Sequence, residues 1–485
     1  MATPIPVNRA AFRLGDVVEA TGGSIVQGAP ELALQGVATD SRQVVAGNLY
    51  VALAGERHDG HAFVAEAIER GAYALLVAHD VEVARDVAVV QVPDTLHALG
   101  ALAAMHRRRW GGLVVAITGS AGKTTTKELA YACLDAAGFR PFRSAGNLNN
   151  LVGVPMSLLC LDANVETAVI EVGTNAPGEI ARLAEIALPD VGVVTSVSIA
   201  HTQGLGSLEA VAAEKASLLW ALPENGAAIY DADSTALAPH LARVRATRKF
   251  GFGRSAEADV QLLGATVDKE LRSRCAFRVG EPTNVMRAEM KLFGPGPAID
   301  AAAALAIVYA VAGRAALASA VEGLARMAPT EGRLYPRVGP DDILIVDDSY
   351  NANPASTLAS IQAAAEIAWA RDARFVAVLG DMLELGAQSR QAHEDVGRAV
   401  VRAGAAALFT CGMEMRSASQ AAWETARADE IPVPELSHVA DAPELLARVQ
   451  KRLHPRDVVL VKGSRGMGME RIVAGLLSGA GRSSA

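Results

Sequence analysis

The sequence predicts a three-domain α/β protein with a small N-terminal α/β domain, a central parallel-sheet domain and a C-terminal Rossmann-like domain. Its 485 residues are too many for one ordinary domain and about enough for three. Hydrophobic residues make up 51% of the chain, which is sufficient for a buried core in each domain. Short apolar strands alternate with helical patterns along the chain, and such alternation is typical of parallel sheets covered on both faces.

Composition and charge exclude several classes of protein. The formal net charge is −8 and no long basic run occurs, so the chain lacks the clustered positive face of a nucleic-acid-binding protein. The four cysteines are far apart and form no CxxC pair, which is typical of core residues in a reducing compartment. No signal-peptide pattern and no membrane-spanning run are found, and the apolar run at 298–311 is predicted to be a buried helix. We therefore expect a soluble, cytoplasmic protein with no membrane insertion and no nucleic-acid partner.

Residues 1–110 are expected to form the small N-terminal domain. Its strands are predicted at 34–37, 49–53, 73–77 and 87–91, and its helices at 62–70 and 95–108. Ser41 and Arg42 lie in a polar loop, TDSR, after the first of these strands. Such a loop is either a solvated turn or a place where a hydroxyl and a guanidinium bind a substrate phosphate. Composition alone does not decide between the two.

The central domain, residues 111–330, begins with the most informative stretch of the chain. An apolar strand at 113–118 leads into GSAGKTT and then into a helical pattern. This is the arrangement of a phosphate-binding loop, whose N–H groups face the anion while its lysine reaches the β- and γ-phosphates and its threonine ligates Mg²⁺. The general motif has a glycine where this chain has Ile117, so the loop is a variant. Its predicted nucleotide-binding residues are Gly119, Ser120, Ala121, Gly122, Lys123, Thr124 and Thr125.

Polar residues follow the other predicted strands of this domain, at 167–172, 191–197 and 227–230. Ligands gather at the carboxyl ends of parallel strands, so Glu171 is predicted to bind Mg²⁺, although a solvated acid would give the same pattern. His201 is either a structural histidine or a ligand. The spacing of Lys215 does not distinguish it from a surface lysine. Residues 258–293 are predicted to form hairpins, and helices are predicted at 298–312 and 315–327.

Residues 331–485 are expected to form the C-terminal Rossmann-like domain, after a linker at 329–333. Its strands are predicted at 343–346, 375–379, 407–410 and 458–461, and its helices near 355–370, 388–403, 414–428, 441–453 and 467–478. The domain has no phosphate loop of its own. Its first strand ends in DDSYNANP, which is rich in side chains that bind hydroxyls and amides.

Motifs in all three predicted domains resemble those of the Mur ligase family. They are TGSAGKTTTKE, GNLNNxxGVP, EVGTNxxGEI, HxxGxGS, GRL, DDSYNANP, GDMxELG and VKGSR. The resemblance implies an ATP-dependent peptide-forming ligase with a central P-loop ATPase domain. DDSYNANP and GDMxELG are similar to the branch that joins D-Ala-D-Ala to UDP-MurNAc-tripeptide, the cell-wall precursor. In that reaction a substrate carboxylate attacks the ATP γ-phosphate, and the dipeptide amine then attacks the resulting acyl phosphate.

The resemblance also implies roles for individual residues, in a chain that we expect to be a monomer. Lys215 matches the family lysine that becomes a carbamate, an anion whose oxygens can ligate a cation. The expected catalytic residues are Lys123, Glu171, His201, Lys215 and Arg333, and the expected ligands of two Mg²⁺ ions are Thr124, Glu171, His201 and Lys215. Further ATP contacts are expected from Asn147, Asp300, Arg333 and Asp348. Substrate contacts are expected from Ser41, Arg42, Asn149, Thr174, Asn175, Tyr350, Asn351 and Asn353. Closure of the third domain on the second would complete the site and exclude water.

One position departs from the family pattern. The helix after the hairpins usually begins with a histidine and, four residues on, an asparagine that contacts adenine, whereas this chain has Gly296 and Asp300 there. An asparagine both donates and accepts, but an ionised aspartate only accepts. We therefore expect Asp300 to keep the contact with adenine N6 and to lose that with N7, so that Asp300→Asn tightens ATP binding.

The sequence leaves other functions open. The phosphate loop alone would also fit another Mur-type amino-acid ligase or a folylpolyglutamate synthase-like ligase. It would fit a nucleotide switch that hydrolyses ATP without an acceptor, or a binding homologue without activity.

Overall fold

The computed structural model describes residues 3–55, 58–83, 86–198, 206–280 and 285–479. It shows three α/β units, each built on its own sheet, and so confirms the predicted fold class. The strands are β1 (Ala11–Arg13), β2 (Ser24–Gln27), β3 (Ala33–Gln35), β4 (Val37–Ala38), β5 (Leu49–Val51), β6 (Ala74–Val77), β7 (Ala88–Gln91), β8 (Leu113–Thr118), β9 (Pro141–Arg143), β10 (Thr167–Glu171), β11 (Val191–Val194), β12 (Ala227–Asp231), β13 (Arg248–Gly253), β14 (Val260–Val267), β15 (Ser273–Val279), β16 (Val285–Met290), β17 (Tyr335–Val338), β18 (Leu344–Asp348), β19 (Phe375–Gly380), β20 (Ala407–Cys411), β21 (Glu435–Val439) and β22 (Val458–Lys462).

The α-helices lie between these strands and cover the sheets. They are α1 (Leu14–Thr21), α2 (Val64–Glu69), α3 (Thr95–Trp110), α4 (Lys123–Ala136), α5 (Gly153–Leu158), α6 (Glu179–Ala187), α7 (Leu208–Trp220), α8 (Pro295–Ala312), α9 (Leu317–Arg326), α10 (Pro354–Ala370), α11 (Ser389–Arg402), α12 (Met415–Ala428), α13 (Ala442–Gln450) and α14 (Glu470–Ser478).

The N-terminal sheet has the strand order β2-β7-β6-β5-β4, with β2 antiparallel and the other neighbours parallel. The prediction of one strand over 34–37 is wrong. The chain turns at Gly36, where φ is +87° and an added Cβ would lie 2.6 Å from the Asn8 carbonyl oxygen. As a result β3 pairs with β1 outside the sheet, and only β4 joins it.

The central sheet has the order β16-β15-β14-β13-β12-β11-β8-β10-β9 and is parallel from β9 to β14. The predicted hairpins are confirmed: β15 and β16 add antiparallel strands to its edge. Strand β8 lies inside the sheet, and its side chains pack alternately into two hydrophobic cores. Val115 and Ile117 pack with α4 and α8, whereas Val114 and Ala116 pack with α3 and the N-terminal unit.

The C-terminal sheet has the order β17-β18-β22-β19-β20-β21, with β17 antiparallel. The unit packs closely against the central one. Phe293, just before α8, is buried in the C-terminal core. Gly294 follows it with φ +96°, and an added Cβ would lie 2.5 Å from the Ala363 Cβ on α10. This contact brings the start of α8 and the loop after β18 to the same cleft.

The long apolar helix and the cysteines also behave as core elements. Among the described residues one helix, α8, is long and apolar enough to cross a bilayer, but most of its side chains are buried in the central core. This confirms the prediction of a buried helix. Cys133, Cys275 and Cys411 are buried, Cys160 is partly exposed, and all four are unpaired.

Candidate active site

A cleft of about 840 Å³ lies between the central and C-terminal units. The phosphate loop forms one side, and the linker and the loop after β18 form the other. The cleft brings together most of the predicted site residues, which are spread along the chain from Ser120 to Asn353. Those that line it are Ser120, Ala121, Gly122, Lys123, Thr124, Thr125, Asn147, Asn149, Glu171, Thr174, Asn175, Asp300, Arg333, Asp348, Tyr350, Asn351 and Asn353.

The phosphate loop connects the end of β8 to the start of α4 and needs its glycines for space. An added Cβ on Gly119 would lie 1.9 Å from the Thr195 Oγ1, and one on Gly122 would lie 2.2 Å from the Asp300 Oδ1. Gly122 also has φ +82°, a left-handed conformation that favours glycine. The end of β11 supports the loop from behind, because the Ala121 N–H donates to Ser196 Oγ at 2.9 Å.

Lys123 begins α4 and is folded over the loop. Its Nζ donates to the Gly119 carbonyl oxygen at 2.6 Å. Burial lowers the pKa of Lys123, and the nearby charge of Arg333 lowers it further, while Glu171 opposes both effects. Because Lys123 is the first residue of α4, it lies at the positive end of that helix, among loop N–H groups, where an anion is stabilised.

Thr124 and Glu171 meet across the first turn of α4. Glu171 lies at the end of β10, beside β8, because the two parallel strands pair in register with Glu171 opposite Ile117. The Thr124 Oγ1 donates to Glu171 Oε2 at 2.8 Å, and the Asn149 Nδ2 donates to Glu171 Oε1 at 2.9 Å. A hydroxyl and a carboxylate are oxygen donors of the kind that Mg²⁺ prefers, so this pair fits that ion.

Lys127, which the sequence analysis did not single out, lies under this pair. It is fully buried, donates to the Gly146 carbonyl oxygen at 2.9 Å and lies 3.6 Å from Glu171 Oε2. Burial raises the pKa of Glu171, but the charges of Lys127, Lys123 and Arg333 outweigh it and leave the pKa below its ordinary value. Glu171 is therefore held as a carboxylate although only 2% of it is exposed.

Lys215 lies on α7 and is 3% exposed, so it is not a surface lysine. Burial lowers its pKa to about 7, and the charge of Lys123 acts in the same direction. The adjacent Glu214 is not available as a close partner, since its two oxygens accept from the N–H groups of Gly178 and Ile180 at the start of α6. A large share of the Lys215 side chain is therefore a neutral amine near pH 7.

Asp300, on α8, faces the phosphate loop. Its Oδ1 accepts from the Thr126 Oγ1 at 3.2 Å, and it is 8% exposed. Burial raises its pKa to about 8, which Thr126 and the charge of Arg333 reduce only in part. At neutral pH the side chain is therefore mostly a protonated carboxylic acid. Such a group both donates and accepts, as an asparagine does.

The C-terminal unit presents a tightly bonded loop after β18. Asp348 accepts from the Lys462 Nζ and from Ser360 Oγ, both at 2.5 Å, and from the Leu334 N–H at 3.1 Å. The Arg333 guanidinium lies over the Tyr350 ring, 4.3 Å from its centroid. The Asn353 Nδ2 donates to the Ser120 carbonyl oxygen at 3.1 Å and so joins this loop to the phosphate loop.

Other predicted residues are placed differently. Ser41 and Arg42 lie in the N-terminal unit, outside the cleft, where Ser41 donates to Glu66 at 2.7 Å and Arg42 pairs with Asp40 at 2.7 Å. Lys215 and Gly119 do not line the cleft surface either. His201 lies outside the described residues.

A further group of metal-ligand residues in the N-terminal unit does not form a convincing metal site. Asp59, His61 and His79 bring their ligand atoms within 4.8 Å of one another. However, the Ala78 N–H donates to His61 Nε2 at 2.9 Å, so Nδ1 carries the proton that it shares with Asp59 at 2.6 Å. Both ring nitrogens of His61 are thus engaged, and the ring acts as a structural link.

The sequence analysis assigned no role to two polar residues of the C-terminal unit, because the motif VKGSR does not by itself indicate a chemical function. Lys462 ends β22 and binds Asp348, and Arg465 lines the cleft. The rule that found Glu171, that polar side chains at strand ends meet at one edge of a sheet, applies equally to Lys462.

Comparison with known proteins agrees with this architecture. Three family models match the chain: "Mur ligase family, catalytic domain" over residues 33–107, "Mur ligase middle domain" over 117–308 and "Mur ligase, glutamate ligase domain" over 332–465. UDP-N-acetylmuramoyl-tripeptide–D-alanyl-D-alanine ligase of Escherichia coli is 37% identical over 93% of this chain and 95% of its own length.

Solved structures of similar proteins cover nearly the whole chain. MurF from Acinetobacter baumannii is 28% identical, covers 97% of this chain and all of its own, and superposes with a TM-score of 0.87. MurF ligase from Thermotoga maritima in complex with ADP is 28% identical over 91% of this chain and 97% of its own, with a TM-score of 0.79. With these matches across all three units, the chain belongs to the Mur ligase family.

Proposed function

We propose that this protein is an ATP-dependent ligase that joins D-alanyl-D-alanine to UDP-N-acetylmuramoyl-tripeptide and forms the pentapeptide precursor of peptidoglycan. The observation that carries the proposal is the cleft in which the phosphate loop faces the DDSYNANP loop, linked by the Asn353–Ser120 hydrogen bond. A hydrolase needs only the first of these loops, whereas a ligase must bring an acceptor to the activated carboxylate. The E. coli relative bears the name of this activity.

The side chains of the cleft suit both steps of an acyl-phosphate mechanism. Lys123 and Arg333 line the cleft, where as cations they would hold the phosphates of ATP and balance the charge that develops during transfer. Thr124 and Glu171 would hold Mg²⁺, which neutralises charge on the phosphoryl oxygens. His201 is proposed to bind a second such ion.

We further propose that Lys215 reacts with CO₂. Its neutral amine adds to the carbon of CO₂ and loses a proton, which leaves a carbamate anion and H⁺. The buried position and the pKa of about 7 support this, since only the neutral amine is nucleophilic. A carbamate there would supply the anionic oxygens that a second Mg²⁺ needs.

Each unit has a proposed part in the reaction. Residues 1–110 bind the UDP-linked precursor, with Ser41 and Arg42 at its UDP end. Residues 111–330 bind ATP, where Asn147 and Asp300 contact the nucleotide and Asn149, Thr174 and Asn175 contact the substrate. Residues 331–485 close on the nucleotide through Asp348 and bind the dipeptide through Tyr350, Asn351 and Asn353. Because one chain supplies both sides of the cleft, a monomer suffices.

This reaction belongs to cell-wall synthesis in the cytoplasm, and so to growth, shape and division. The test is product formation with UDP-N-acetylmuramoyl-tripeptide, ATP and either D-Ala-D-Ala or a single amino acid as acceptor. We expect a pentapeptide product with the dipeptide alone, and phosphate release that depends on both substrates. Phosphate release that ignores the tripeptide and the dipeptide would instead indicate a nucleotide hydrolase or switch.

A further inference from the structure

Two guanidinium groups approach the same tyrosine ring at the floor of the cleft. The Arg333 Cζ lies 4.3 Å from the centroid of Tyr350, and the Arg465 Cζ lies 5.5 Å from it. Among the described residues neither guanidinium forms an ion pair with a carboxylate. Two positive charges near one ring, neither of them held in an ion pair with a described residue, indicate that the cleft accepts more than one anionic group.

The two arginines serve different parts of the cleft. Arg333 is near enough to Lys123 and Glu171 for its charge to affect both, so it belongs with the phosphate loop. Arg465 lies in a different loop, the one that follows β22. It lies beside the GDMxELG loop, where Leu383 and Glu384 also line the cleft. Arg333 is therefore placed to bind the phosphates of ATP, whereas Arg465 is placed to bind a different anionic group.

The backbone around Arg465 is built to hold its position. Ser464 joins three segments: its N–H donates to the Asp381 carbonyl oxygen at 3.0 Å, and its Oγ accepts from the Leu383 N–H at 2.8 Å and donates to the Ala352 carbonyl oxygen at 3.3 Å. The Arg465 N–H donates to the Asn351 Oδ1 at 3.3 Å. An exposed arginine on a loop this well fixed is a positioned binding group.

We propose that Arg465 binds the C-terminal carboxylate of the incoming dipeptide and thereby selects an acceptor with a free acid end. The inference rests on the proposed ligase function. An extended dipeptide spans about 7 Å from its amine to its carboxylate. With the carboxylate on Arg465 and the chain across Tyr350, the amine points towards the phosphate side of the cleft, where the activated carbonyl is formed.

The test compares D-Ala-D-Ala with its C-terminal amide in the wild type and in Arg465→Met. We expect the substitution to raise the KM for D-Ala-D-Ala about 10- to 100-fold, the usual effect of losing a hydrogen-bonded charge. The KM values for ATP and for the UDP-linked precursor should stay the same. The preference of the wild type for the acid over the amide should disappear in Arg465→Met. In Arg465→Lys the KM for D-Ala-D-Ala should lie between those of the wild type and Arg465→Met.

Arg471→Met is the matched control, because Arg471 is exposed on α14 and does not line the cleft. An unchanged KM for the dipeptide in Arg465→Met, or an equal loss with acid and amide, would overturn the inference. A rise in the KM for ATP alone would overturn it too and assign Arg465 to the nucleotide. If the wild type makes no product from the dipeptide, the proposed function fails and this inference with it. If the wild type is active, only the variants decide the role of Arg465.

Discussion

The Asn353 side chain donates a hydrogen bond of 3.1 Å to the carbonyl oxygen of Ser120. Asn353 also caps α10, since its Oδ1 accepts from the Ser356 N–H at 2.9 Å. One residue thus fixes the start of a helix in the C-terminal unit and holds that unit against the phosphate loop. The arrangement gives a physical basis for domain closure: the loop that binds phosphate is itself a docking surface.

These two roles of Asn353 can be separated by substitution. Serine also caps helices but is too short to reach Ser120, so Asn353→Ser should keep the unfolding free energy while raising the KM for ATP and lowering kcat several-fold. Asn353→Ala should show the same kinetic change and, in addition, lose about 1 kcal/mol of unfolding free energy. Steady-state kinetics and urea denaturation measure the two effects. Normal kinetics in Asn353→Ser would show that closure does not depend on this bond.

Thr124 and Glu171 should control the requirement for Mg²⁺. Thr124→Val keeps the shape of the side chain but removes the hydroxyl, and Glu171→Gln removes the charge. Loss of even an indirect partner of a metal ligand costs about 10- to 100-fold, so we expect at least that increase in the Mg²⁺ concentration for half-maximal activity. Thr124→Ser, which retains the hydroxyl, is the control. A Mg²⁺ titration that is the same in Thr124→Val and Thr124→Ser would exclude Thr124 as a ligand.

Lys215 should carry a carbamate when CO₂ is present. In ¹³CO₂-equilibrated buffer we expect a carbamate carbon signal by ¹³C NMR that is missing in Lys215→Met. Activity should fall by about 100-fold or more in that variant, because one set of anionic ligands is lost. CO₂-depleted wild-type enzyme should recover activity when bicarbonate is added. Full activity without CO₂ and without the signal would rule out the modification.

Asp300 should make ATP binding depend on pH. Because the pKa is raised to about 8, the carboxyl is protonated at pH 7 and presents a donor and an acceptor, as asparagine would. Asp300→Asn should therefore leave the KM for ATP unchanged at pH 7 and lower it at pH 9, where the wild type is ionised. The sequence alone predicted that Asp300→Asn tightens ATP binding, and the raised pKa limits that prediction to alkaline pH. If the ratio of the wild-type KM for ATP to that of Asp300→Asn is the same at pH 7 and pH 9, Asp300 is not protonated at pH 7.

The same group should affect stability in a defined direction. Between the ordinary aspartate pKa of 3.8 and about 8, the folded protein holds a proton that the unfolded chain releases. The contribution of Asp300 to the unfolding free energy is therefore greatest in acid and decreases as the pH rises through that window. Asp300→Asn should be more stable than the wild type at pH 8, and the difference should shrink towards pH 4. Urea denaturation at several pH values measures it.

Much of the site was predictable because its signals are local. The strand–loop–helix pattern at 113–127 reports a phosphate loop in one continuous stretch, and Glu171 was found because strand ends of one sheet meet at one edge. Neither signal shows which side chains far apart in the sequence form a pair, even within one unit. Lys127 and Lys462 were missed because their importance comes from carboxylates 44 and 114 positions away, Glu171 and Asp348.

The fold class, the three units and the position of the phosphate loop could be predicted from the sequence, since hydrophobic periodicity and glycine placement are properties of neighbouring residues. The charge of the groups around that loop depends instead on tertiary contacts. Burial raises the pKa of Asp300 to about 8 and lowers that of Lys215 to about 7, whereas the charge of Lys127 keeps the pKa of Glu171 below its ordinary value. Desolvation and charge pairing depend on what surrounds a side chain in space, and that is set by contacts between distant parts of the chain.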